Sequence, residues 1–322
     1  MTLECLKTLH EISLLPNLIT FYAVRQYLTS CCPVNMDMDM YNAITVLAPV
    51  LIFYPLLIVF AFPLTLLAMM YATVVFLHVY RHRRRQIYDA YSENFWDGAK
   101  QTVAAVFDAQ ASYWNGYEII GLEKVPDNGA ALLVYYHGAL PIDMYYIIAK
   151  MLLHKKRSLK NVVATFLFRL PGFKIMLDVF GACSPTRDEC VKMLKDGELL
   201  AVSPGGVREA LFSDEHYKLV WNGRLGFAKV AQEAQVTIIP VFTQNVREMF
   251  RTIKMGRRIL QKLYDYTRCP LAAPIYGGFP VKMRTFIGDP IPYDSTLTPE
   301  ELSDKVKLAI ENLIAEHQRV PG

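Results

Sequence analysis

The sequence predicts an α/β domain, a mainly parallel sheet flanked by helices, preceded by an N-terminal hydrophobic helical hairpin. Three observations predict it. From Glu118 to the end, short apolar runs closed by turn residues alternate with longer runs at helical spacing, as strands and helices stacked in layers require. From Met40 to Tyr80 there is no Asp, Glu, Lys or Arg, more apolar surface than a soluble core of this size buries, so the run reads as a membrane segment. Arg81, Arg83, Arg84 and Arg85 follow at once; positive residues flanking a span stay cytoplasmic, which puts the large C-terminal part on the cytosolic side.

Composition fits one membrane segment plus one globular domain. Hydrophobic residues make up 53% and charged residues 20% of the 322, apolar for a soluble protein and too polar for repeated spans. A net charge of +4 is too small to argue for nucleic acid. The six cysteines, Cys5, Cys31, Cys32, Cys183, Cys190 and Cys269, form no C-x-x-C pair and read as free thiols with no metal site.

In chain order, residues 1–39 form an N-terminal cytosolic or interfacial segment in which Leu14 to Leu28 suits either a membrane-lying or a docking helix. Residues 40–80 are long enough for two short helices, and Pro49, Pro55 and Pro63 favour a hairpin over one kinked span. Residues 81–117 form a basic juxtamembrane segment and a connecting helix carrying Phe95, Trp96, Val103, Phe107 and Trp114. Residues 118–322 form the α/β domain. Within it Ala130–Tyr136, Asn161–Phe168, Glu198–Ser203, Val236–Thr243 and Val281–Ile287 read as strands. Met144–Leu153, Arg187–Lys195 and Leu225–Ala234 read as helices, and Asn245–Tyr266 as one long basic helix that suits a membrane surface or a solvated face. Thr298, Pro299 and Glu301 spell a capping box with proline at the first helical position.

The candidate chemistry lies where the first strand runs into a loop. His137 and Asp143 follow Tyr136, at the sheet edge where α/β folds expose functional side chains, and an imidazole with a nearby acid suits a general base and its orienter. There is no phosphate-binding G-x-x-x-x-G-K-[ST], no G-x-G-x-x-G and no G-x-S-x-G elbow, which counts against an ATPase, a dinucleotide enzyme and an α/β-hydrolase.

Four blocks in order, YYHGALPID, PGFKIMLDVFGACSPTRDEC, VSPGGVREAL and GRLGFAKVAQEAQVTIIPVF, resemble the membrane-bound glycerolipid acyltransferase superfamily, in the branch similar to diacylglycerol acyltransferase type 2 and phytyl ester synthase. Five residues separate His137 from Asp143, one more than the family motif has. The resemblance implies a membrane-anchored acyltransferase domain in which His137 deprotonates an acceptor hydroxyl and Asp143 orients it. It further implies that Gly205 and Gly206 let backbone amides approach the acceptor or oxyanion, that Glu209 bonds acceptor hydroxyls, and that Arg208 and Arg187 are the cations within reach of a phosphate. The implied activity is acyl transfer to mono- or diacylglycerol at the endoplasmic reticulum membrane, making storage lipid. Acyl-coenzyme A or a membrane phospholipid serves as donor, with no cofactor and no nucleic-acid partner. A lysophosphatidate-type acyltransferase and an inactive lipid-binding scaffold are the alternatives, and a regulatory membrane-protein partner stays open.

Overall fold

The computed structural model describes residue 64 and residues 66–81, 96–253, 256–267 and 275–321. Most of residues 40–80, over which a hairpin is expected, and all of residues 1–39 lie outside them. Residues 66–81 are helical; Val74 and Leu77 are buried against Phe173, Met176 and Leu177, and the Tyr71 ring meets Phe173 edge-on at 5.0 Å. Among the described residues no helix is long and apolar enough to cross a membrane.

The domain is ordered around β2 (Ala131–Tyr135), whose five residues are all buried. Such a run cannot have a solvent face, so it takes the centre of a covered parallel sheet. β5 (Leu199–Val202) and β6 (Ile238–Gln244) pair parallel on either side of it. β3 (Leu159–Val162) and β4 (Ala182–Cys183) extend one flank, while β9 (Arg284–Ile287) and β1 (Glu118–Ile120) extend the other. Of these neighbours only β6 and β9 run antiparallel, giving the order β1-β9-β6-β2-β5-β3-β4.

Alternate residues of the strands feed two cores. Leu132, Val134, Leu200, Ile238 and Phe242 pack with α1 (Asp97–Asn115), α6 (Gly226–Ala234) and α9 (Pro299–His317). Leu133, Tyr135, Ala201, Ile239 and Val241 pack with Met144, Ile147 and Ile148 of α2 (Ile142–Lys150). The remaining helices are α3 (Phe173–Val179), α4 (Arg187–Lys195), α5 (Gly206–Phe212), α7 (Val246–Met249) and α8 (Arg257–Thr267). The expected capping box closes, Thr298 with Glu301 on α9, and the structure adds a second, Thr186 with Glu189 on α4.

Two expected elements differ. The strand expected over Asn161–Phe168 stops at Val162, because its neighbour β4 has only two residues to pair with, and Thr165–Arg169 winds into a 3-10 turn. The long helix expected over Asn245–Tyr266 breaks. Asn245 takes φ 62°, α7 lasts four residues, and Phe250–Thr252 leaves as β7 to pair antiparallel with β8 (Ile275–Gly277). α8 begins only after Gly256 at φ 72°. Helical periodicity in charge was outweighed by left-handed backbone at Asn245 and Gly256 and by the pairing of Phe250–Thr252 with Ile275–Gly277.

Candidate active site

The loop after β2 is built from three directions. His137 donates its backbone N–H to Oε2 of Glu209 at 3.0 Å, and its carbonyl accepts from Nη2 of Arg247 at 3.3 Å. Nδ1 of the ring lies 2.7 Å from the carbonyl oxygen of Gly138. A carbonyl can only accept, so Nδ1 carries the proton and Nε2 keeps its lone pair. A Cβ on Gly138 would sit 2.4 Å from Cγ2 of Val246, so glycine is what lets the loop lie against the start of α7.

Glu209 on α5 is completely buried. Besides the His137 amide it accepts the Val220 N–H at 2.9 Å, through Oε1, and the Ser203 hydroxyl approaches Oε2 at 3.4 Å. The acid assigned to acceptor hydroxyls is therefore engaged by the chain's own backbone. Gly205 permits this fold-back, since a Cβ there would lie 2.4 Å from Cβ and 2.5 Å from Cδ of Glu209. Gly206 adopts φ 52° and directs its N–H to Oγ of Ser203 at 3.3 Å. Arg224 holds the carbonyls of Pro204 and Gly205, each at 3.1 Å.

Arg247 is the residue that sequence reasoning missed. It is only 4% exposed, and burial of a guanidinium is tolerable when every direction finds an acceptor. Nε reaches the Tyr136 hydroxyl, Nη1 the Ser213 carbonyl at 2.9 Å, and Nη2 the Glu209 carbonyl at 2.6 Å. One side chain thus ties the strand end, the histidine loop and α5 together. In the sequence it is one of several regularly spaced basic residues, with no local mark to distinguish it.

Burial sets the electrostatics. Desolvation, aided by the Arg247 charge, drives His137 down to about 4 although the Gly138 carbonyl favours its protonated form. The ring is half-buried and neutral at working pH, the form a general base needs; the lowered proton affinity leaves much of the catalysis to positioning. Desolvation lifts Asp143 to about 7, with the Thr243 hydroxyl and the Met144 amide opposing. Asp143 is 1% exposed and its Oδ1 has no hydrogen-bond partner. Among the described residues no hydrogen bond joins it to His137, whose Nδ1 is taken by Gly138. Glu209 is raised by burial, against the pull of its backbone donors.

The two candidate phosphate ligands are both paired. Arg208 meets Asp265 of α8 at 2.5 Å, and Arg187 pairs with Glu233 of α6. The sheet order brings the β5 loop next to His137, whereas Arg187 follows β4, three strands or about 14 Å across the sheet. Asp214, Glu215 and His216 could share a cation on a surface turn, an acidic grouping of a kind common without an ion.

A buried loop presenting a neutral imidazole at the carboxyl edge of a parallel sheet agrees with the match of residues 116–244 to the acyltransferase family. The chain belongs to that family. It is 52% identical over 84% of its length to a Homo sapiens protein named DGAT1/2-independent enzyme synthesizing storage lipids, of which it covers 82%. The Gallus gallus protein of the same name is 47% identical over 84% of this chain and 81% of its own. A crystal structure of the 1-acyl-sn-glycerophosphate acyltransferase PlsC from Thermotoga maritima superposes with a TM-score of 0.49 at 16% identity, over 76% of this chain and 96% of that one.

Proposed function

We propose that the protein transfers a fatty acyl group to the free hydroxyl of mono- or diacylglycerol, forming diacylglycerol or triacylglycerol, with His137 as the general base. The observation that carries the reading is the fixed tautomer: with Nδ1 bound to the Gly138 carbonyl, Nε2 is the atom that can take a proton. In the reaction the acceptor O–H proton passes to Nε2 while the oxygen attacks the acyl carbonyl. The leaving thiolate of acyl-coenzyme A, or the leaving oxygen of a phospholipid donor, then recovers that proton from the imidazolium. Relatives at 52% identity named for storage-lipid synthesis support the neutral-lipid assignment. So does the pairing of Arg208 and Arg187 with acids, since a phosphorylated acceptor needs free cations. We place the activity at the endoplasmic reticulum membrane with the domain in the cytosol, on the strength of the uncharged run and the arginines that follow it.

The test is purified wild type and His137→Ala offered labelled diacylglycerol with acyl-coenzyme A or with phosphatidylcholine, the products resolved by mass. Labelled triacylglycerol from wild type and a loss of about 10²-fold or more in the variant is expected; equal product from both overturns the assignment.

A further inference from the structure

α8 presents an apolar stripe to the outside. Ile259 is 73% exposed, Leu263 47% and Tyr266 89%, and their spacing of four and three places them on one helical face. The opposite face is fastened to the domain. Tyr264 is buried and meets Phe212 edge-on at 5.6 Å, Arg257 reaches the Ser213 carbonyl at 2.5 Å, and Asp265 holds Arg208. With those anchors in place the stripe cannot turn inward without breaking a buried ring contact and two charged bonds.

The surroundings of the stripe are cationic. Arg258 and Lys262, both exposed, stand beside it, and from Phe250 to Tyr264 the sequence has Arg251, Lys254, Arg257, Arg258 and Lys262 with no Asp or Glu. Exposed aliphatic and tyrosine side chains bordered by Lys and Arg are the make-up of a helix lying in a bilayer interface, with the basic flank drawn to anionic head groups. A protein groove would match the apolar stripe but leave the cations without partners.

We propose that α8 is an interfacial helix that docks the domain on an anionic bilayer surface, a contact separate from the apolar N-terminal run. Its anchors Phe212 and Arg208 belong to α5, the helix that also carries Glu209, so the docking helix is joined through α5 to the histidine loop. This goes beyond the acyl-transfer reading, which a negative outcome here would leave standing.

The test uses the full chain in phosphatidylcholine vesicles with and without phosphatidylserine. An encoded environment-sensitive fluorescent residue replaces Leu263, or Ile259 in a second variant, and, as a control, Leu308, which is 57% exposed on α9. Blue-shifted emission at 263 and 259, quenched by nitroxide-labelled lipid and strengthened by phosphatidylserine, with the 308 probe unaffected, is the expected result. Arg258→Gln with Lys262→Gln should weaken the phosphatidylserine dependence by about 25-fold, each charge being worth about fivefold in surface binding. Absence of lipid quenching at 263 and 259, equal quenching at 308, or a blue shift present without vesicles, as a second copy or protein partner would give, overturns the proposal.

Discussion

Gly138→Ala tests whether the base is held by its own loop. Gly138 has no left-handed backbone requirement, so alanine meets only a steric obstacle: its Cβ falls 2.4 Å from Cγ2 and 3.3 Å from Cγ1 of Val246. Val246 is fully buried and has nowhere to withdraw, so relief requires the loop to move by about 1 Å. Overpacking of this kind costs about 1–3 kcal/mol. The same displacement carries off the Gly138 carbonyl that fixes Nδ1 of His137, and a misplacement of about 1 Å near the chemistry can lower the rate about 10²-fold. Val246→Ala alone leaves a cavity and costs about 2 kcal/mol. In the double variant the new Cβ occupies the vacated space, so the combined loss should fall at least about 1 kcal/mol short of the sum, with activity partly recovered. Thermal unfolding in detergent and acyl-transfer rates for the four proteins complete the cycle. Additive stabilities together with an unchanged rate in Gly138→Ala would show that the loop does not position the imidazole.

Four further outcomes follow from the same geometry. Because burial holds His137 near 4 rather than its ordinary 6.5, kcat/KM should stay level from neutral pH down to about 5 and fall as pH approaches 4; a fall centred near 6.5 would contradict this. Asp143 is raised from 3.8 to about 7, so its contribution to stability is full below the lower value and is lost as pH rises through the higher. Asp143→Asn should then match wild type near pH 4 and be more stable near pH 8 by about 2–4 kcal/mol, read as unfolding temperature against pH. Glu209→Gln keeps one acceptor for two buried N–H donors and should lose about 1.5–3 kcal/mol of stability by denaturant titration. Arg187→Ala, which removes a largely exposed pair, should change stability by less than about 1 kcal/mol and leave acylation of a neutral acceptor intact.

Elements with a strong local signal were readable before any coordinates. β2 announces itself by an unbroken apolar run after a turn, α9 by its capping residues, and β6 by its β-branched stretch. β1, β4, β7 and β8 have two or three residues each, too few for periodicity to register. The ribbon of β7 and β8 depends on a partner more than twenty residues away, which is why a helix was expected in its place. The candidate site divides in the same manner. That His137 and the Gly205–Glu209 block come together follows from two adjacent parallel strands. That Glu209 grips the His137 amide and Arg247 the surrounding carbonyls could not be read, because side-chain bonds to distant backbone leave no spacing rule in the chain.

Arg247 also dictates an order of assembly. Its bond to the His137 carbonyl joins positions 110 apart, and the Glu209 bond to the His137 amide joins positions 72 apart. Contacts so distant form late, since a long stretch of chain must be closed before they can repay it. During synthesis, the leucines and the tyrosine of β2 emerge well before the guanidinium that steadies the loop after them. A nascent chain halted short of position 247 would carry its imidazole on a loop lacking that second tie, which delays competence for chemistry until the sixth strand has been laid down.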